Sequence, residues 1–179
     1  MTLTRPQMII ISVSTIICAS IACPLIILSV KRERISKTTN NYINSTDMTL
    51  PRGYRNNNPL NIRKSNERWL GEVRPSTDAA FKQFESMGYG FRAALKLLRN
   101  YIGKGFNTIE KIVTRWAPPS ENHTTSYINN VANRSGIPAT QVIDRDDRES
   151  LIAIAYAMAI SENGKAPERE DIEAGWDML

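Results

Sequence analysis

The sequence predicts a mainly α domain with a small β lobe, an α+β arrangement, preceded by one transmembrane helix. Three observations carry that expectation. Residues 8–30 hold no charged side chain and are rich in isoleucine. Four later stretches repeat apolar residues at a helical period. Two short runs with β character, 60–63 and 80–84, flank an interval full of turn-forming residues.

The first element is the apolar span. It exceeds the ~20 residues a helix needs to cross ~30 Å of hydrocarbon. Arg5 alone precedes it, whereas Lys31, Arg32, Arg34 and Lys37 follow. A cleaved signal peptide normally carries its positive charge in front of a shorter apolar core. Residues 1–37 are therefore expected to be an uncleaved anchor with a basic flank, making the chain a single-pass membrane protein of a cell envelope or virion membrane. Residues 38–50 are polar, rich in Asn and Thr, and read as a flexible linker. Residues 51–179 have the size of one domain.

Within that domain the opening stretch is irregular. Gly53, the consecutive Asn56, Asn57 and Asn58, and then Pro59 are turn chemistry. The first helix is expected over 88–102, with Phe91, Leu95, Leu98 and Ile102 on one face. The second covers 108–116, with Asn107 as cap and Glu110 three residues on, and Pro118-Pro119 end it. The third covers 124–135, packing Tyr127, Ile128 and Val131, and Gly136 stops it. The last runs over 146–164 from capping aspartates to Asn163-Gly164.

That last helix carries the most informative residue. Leu151, Ala155, Met158 and Glu162 fall on one face, three apolar positions and one acid. A glutamate beside apolar surface and near the negative end of the helix dipole is expected to hold its proton more tightly than usual. Such a carboxylic acid is what glycoside cleavage needs as general acid. The competing reading is a solvated residue in a fraying last turn.

Composition narrows the function classes. Both cysteines, Cys18 and Cys23, lie in the apolar span, which excludes disulfides and a cysteine nucleophile from the domain. His123 is the only histidine, so neither a histidine-based zinc site nor a Ser-His-Asp triad is expected, and no metal or cofactor is called for. Residues 52–134 hold 14 basic and 6 acidic side chains, whereas 135–179 hold 4 and 10. The basic half could attract a polyanion. No nucleic-acid-binding signature accompanies it, and nucleic acid is not the expected partner. Oligomeric state is not legible.

The asparagine run is either a loop builder or a sugar-binding edge, because amides both donate to and accept from hydroxyl and N-acetyl groups. On the second reading Asn57, Asn58 and Asn61 contact substrate. Trp69 supplies a flat face for a sugar ring or packs in the core, and Tyr127 lines a groove or packs with its apolar neighbours.

The runs Arg55-Asn56-Asn57-Asn58-Pro59-Leu60-Asn61-Ile62-Arg63, Trp69-Leu70-Gly71, Phe81-Lys82-Gln83-Phe84, Gly90-Phe91-Arg92-Ala93, Arg115-Trp116-Ala117-Pro118-Pro119 and Glu162-Asn163-Gly164 resemble a group of small phage and prophage virion-associated, lysozyme-like peptidoglycan hydrolases or structural proteins. A further similarity is to flagellar-type glucosaminidases and lytic transglycosylases, where a helix ends in the catalytic Glu. Here the order is rotated, since the Glu helix comes last. The resemblance implies a circularly permuted lysozyme-like domain in which Glu162 meets the asparagine loop and cleaves the glycan strand of peptidoglycan. A hydrolase would need a second acid, for which Asp78 and Glu85 are candidates. A non-catalytic peptidoglycan-binding or virion structural protein is the alternative. A wall enzyme implies a wall-facing module, whereas the basic flank after residue 30 argues for the opposite orientation.

Overall fold

The structure, a computed structural model, describes residues 47–120 and 123–179. These belong to a unit spanning Asn40–Leu179. Six α-helices are present among the described residues: α1 (Arg52–Arg55), α2 (Met87–Gly103), α3 (Ile109–Trp116), α4 (Thr124–Ser135), α5 (Arg148–Asn163) and α6 (Arg169–Asp177).

The centre of the fold is α5. Leu151, Ile152, Ile154, Ala155 and Met158 are all buried, which places apolar residues around most of its circumference. A helix apolar on all sides is enclosed by its neighbours. Asp147 caps its start, its side chain accepting from the Ser150 amide at 3.2 Å, and Gly164 closes its end at φ 66°. Such a left-handed C-terminal position suits glycine. Helices α4 and α6 both pack against α5, and α2 lies against both α5 and α6. Helix α2 buries Phe91, Leu95, Leu98 and Ile102, the stripe its sequence predicts.

Three expectations need correction. The first is the β lobe. Among the described residues there is no strand: one isolated antiparallel bridge, Arg63 with Phe81, joins the two runs, and a second pairs Phe84 with Glu72 of the intervening loop. The ladder stops because other groups take its positions. Asn58 Nδ2 donates to the carbonyls of Ile62 and Lys82, both at 2.9 Å, and Asn58 Oδ1 accepts from the Ile62 amide at 2.9 Å. The Phe84 amide donates to the Asn56 carbonyl rather than to a partner strand. Local side-chain bonds of this kind compete with sheet pairing. The predicted small β lobe is thus replaced by a bridged loop region, and the described residues form a helical domain.

The second correction concerns the membrane. No helix among the described residues is long and apolar enough to cross one, so the expected single-pass localisation finds no support among them. The longest, α2, has 17 residues and carries Arg92, Lys96 and Arg99. The apolar span 8–30, the anchor 1–37 and most of the linker 38–50 lie outside the described residues.

The third is local. Thr108, not Asn107, caps α3, its hydroxyl accepting from the Lys111 amide at 3.2 Å. Helix α6 was also not foreseen. Its sequence buries only Ile172 and Gly175, too few apolar positions to show a period. It packs closely because Gly175 has no side chain: a Cβ there would lie 2.8 Å from the Phe91 Cβ and the Arg92 amide nitrogen.

Candidate active site

The asparagine loop is built by residues suited to an unusual backbone. Asn57 and Asn61 adopt positive φ, 48° and 51°. Asparagine visits the left-handed region more readily than other side-chain-bearing residues. The resulting turns send the Asn57 and Asn58 amides inward. Asn57 Nδ2 donates to the Phe84 carbonyl at 3.0 Å, and Asn58 is fully buried in its three bonds. Asn56 Nδ2 donates to Asp78 at 2.8 Å. These three side chains hold the loop together, and Asn61 is left to face the cleft.

The end of α5 is fastened to the same loop. Asn163 Nδ2 donates to the Pro59 carbonyl at 2.7 Å and to the Ala159 carbonyl at 2.9 Å. Gly53 makes room, since a Cβ there would meet Asn163 Oδ1 at 2.2 Å. One residue earlier stands Glu162, half-buried. Its Oε2 accepts from Asn61 Nδ2 at 2.9 Å and its Oε1 from the Tyr127 hydroxyl at 2.9 Å. Both carboxylate oxygens are therefore oriented by neutral donors from two other parts of the chain. Burial, together with the charge and hydrogen bond of Glu162, pushes the Tyr127 hydroxyl well above its ordinary pKa. Tyr127 thus remains a donor at neutral pH.

Glu162 opens onto a cleft of about 330 Å³, lined also by Asn61, Arg63, Phe81, Tyr101 and Trp116. Tyr101 and Trp116 meet edge to face at 6.2 Å between centroids. Asn61 Oδ1 is buried and has no hydrogen-bond partner among the described residues, leaving one acceptor next to the acid. The cleft combines flat apolar rings, an amide and one carboxylate, a set suited to a sugar ring and its polar substituents.

Of the residues singled out from sequence, Glu162, Asn61 and Tyr127 come together here. Asn57 and Asn58 lie beneath them as supports. Trp69 is half-buried against the core and does not line the cleft. Its loop is held by Lys82, a buried ammonium that donates to the Glu67 carbonyl at 2.8 Å and to Glu72 at 2.9 Å. Asp78 is also committed elsewhere. Burial alone would raise its carboxyl, but hydrogen bonds from Arg52, Asn56 and the amides of Ala80 and Phe81 outweigh it and hold the group well below the carboxylate range. Glu85 is exposed and outside the cleft lining. Glu162 is the one carboxylate among the described residues that line the cleft. No described group of three or more His, Cys, Asp or Glu is placed to hold a metal.

Sequence reasoning passed over Tyr101, Trp116, Phe81, Arg63 and Asn163 as site residues. Trp116 was absorbed into the apolar stripe of its helix, and Tyr101 lay off the stripe of α2. A half-buried aromatic beside a helix end was the available signal.

No family model matches the chain. Over 131 aligned residues it is 42% identical to Protein P5 of Pseudoalteromonas phage PM2, an alignment covering 70% of this chain and 80% of that protein. The chain belongs to the Protein P5 family. Its origin is accordingly phage-related. Membership in the P5 family says nothing by itself about the chemistry of Glu162, which rests on the geometry above.

Proposed function

We propose that this P5-family protein is a lysozyme-like muralytic enzyme that cleaves the glycan strand of peptidoglycan, with Glu162 as its acid. The single observation that carries the reading is the placement of Glu162. It stands at a cleft lined by Phe81, Tyr101 and Trp116, with its two oxygens aimed by Asn61 and Tyr127. The lone carboxylate favours the transglycosylase route over hydrolysis with two acids. Protonated Glu162 donates to the glycosidic oxygen, and the bond from that oxygen to C1 breaks. The resulting carboxylate then takes the proton of the same sugar's 6-hydroxyl as that oxygen attacks C1. The proton is returned, and the product ends in a 1,6-anhydro ring. The Tyr127 hydroxyl can turn from donor to acceptor as Glu162 gains or loses its proton, which keeps the side chain placed throughout.

One observation favours a different reading. The two hydrogen bonds to Glu162 also fasten α5 to α4 and to the asparagine loop, as a structural latch would. On that reading the protein binds walls or serves in a virion without cutting. Glu162→Gln separates the two. The enzyme reading expects loss of soluble fragments released from purified walls, with wall binding and thermal stability retained. A wild type that releases nothing, with a Gln variant of reduced stability, contradicts it.

A further inference from the structure

Phe81 differs from the other rings of the cleft in how it is held. Tyr101 belongs to α2 and Trp116 to α3, so helical backbone places both. Phe81 lines the same cleft from a loop and is half-buried. Loop segments are ordinarily the more mobile part of a fold. Here one carboxylate fixes the residue twice. Asp78 accepts from the Phe81 amide at 2.9 Å. It also accepts from Arg52 Nε at 2.7 Å and from Arg52 Nη2 at 2.9 Å, a two-pronged pairing that sets the plane of the guanidinium. That guanidinium lies 4.4 Å from the Phe81 ring centroid, within reach of a cation–ring attraction. The Ser76 hydroxyl completes the frame by donating to the Phe81 carbonyl at 3.1 Å. Arg63, paired with Phe81 in the antiparallel bridge, is farther from the ring, at 5.8 Å.

Arg52 therefore holds the ring while Asp78 holds Arg52. The anchor is buried and the arm is not: the side chains are 8% and 46% exposed. With Nε and Nη2 committed to Asp78, Arg52 is fitted to aim the ring rather than to grip a ligand. We propose that Arg52 is a positioning residue acting through Phe81, fixing that ring as a preformed platform on which one sugar of the glycan stacks. The inference rests on the glycan reading above and deepens it, by naming the ring that carries the sugar and the group that aims it. A ring ordered before binding does not have to be ordered by the ligand.

The test is a double-substitution cycle read by calorimetric titration of an N-acetylglucosamine oligomer into full-length Glu162→Gln protein, which leaves the ligand intact. Arg52→Gln is expected to weaken binding about two- to tenfold, the scale of immobilising one side chain. Phe81→Leu is expected to weaken it at least as much. With Phe81→Leu in place, Arg52→Gln is expected to change nothing further, because the arm has no ring left to aim. Unchanged affinity in Arg52→Gln overturns the inference. So does an equal further loss in the Phe81→Leu background, which is what a mere brace of the loop would give, or no binding by the Glu162→Gln parent. A second readout needs no ligand. The χ1 couplings of Phe81, measured by NMR, are expected to report one rotamer in the parent and averaging in Arg52→Gln, and one rotamer in both overturns the clamp. If Arg52 and Phe81 prove coupled while the wild type cuts no wall, catalysis fails and the platform stands. If walls are cut and the two prove uncoupled, the platform alone fails.

Discussion

Glu162 is held by what its neighbours donate. The Tyr127 hydroxyl sits on one oxygen and the Asn61 amide on the other. Tyr127→Phe keeps the ring packing and removes the donor. It is expected to lower kcat for wall cleavage by about 10- to 100-fold, the usual scale for losing one positioned group at a reacting centre, with KM changed far less. Steady-state release of soluble fragments measures it. Asn58 is a different kind of residue. Its amide satisfies two carbonyls and one amide that would otherwise be buried unpaired. Asn58→Ala is expected to cost at least about 2 kcal/mol of stability, because each orphaned buried group carries a penalty of about 1–3 kcal/mol. Urea unfolding reads this directly. The sequence offered Asn57, Asn58 and Asn61 as equivalent candidates. Backbone conformation sorts them, because the left-handed turns send two amides inward and leave one at the cleft. Spacing alone does not encode that sorting.

At the scale of elements, α2 and the asparagine loop approach closely at Gly90. A Cβ on Gly90 would lie 2.0 Å from the Asn57 carbonyl oxygen and 2.7 Å from the Pro59 ring. Gly90→Ala is therefore expected to destabilise by about 1–3 kcal/mol, as overpacking does, and to displace the loop that presents Asn61. A lowered thermal midpoint together with reduced wall cleavage would report both effects. Helices α2, α4 and α5 were legible because apolar spacing, caps and terminal glycines agreed with one another. The hairpin was not, since side chains of Asn58 and the backbone of Asn56 occupy the positions a ladder would use. Helix α6 was hidden for the opposite reason: it docks through a missing side chain, Gly175, which leaves no hydrophobic signal. The meeting of Glu162 with Asn61 spans 101 residues of chain, and that with Tyr127 spans 35. Each residue was visible in the sequence, but their convergence needed the burial of α5 at the centre of the fold.

For the molecule as a whole, the ionic cluster around Asp78 contributes to the response to acid. The Asp78 carboxyl is held below its ordinary pKa in the native state by Arg52, Asn56 and two amides, despite the opposing effect of burial. A depressed folded pKa stabilises the protein above the ordinary value of about 3.9. That contribution is lost as pH falls through the lower, folded value. Asp78→Asn is expected to be less stable than wild type by about 1–3 kcal/mol at neutral pH, with the gap narrowing as the solution is acidified toward and below the folded pKa. Denaturant titrations at several pH values test the sign, and a gap that widens in acid would refute it. The cluster links α1, the asparagine loop and the 76–81 turn, so its loss also loosens the platform beneath the cleft. Whether that platform serves catalysis is decided most directly by mass spectrometry of purified peptidoglycan after incubation with the full-length protein. The account predicts soluble fragments ending in 1,6-anhydro sugars, absent with Glu162→Gln. An intact polymer with wild-type protein, or identical fragments from the Gln variant, would contradict it.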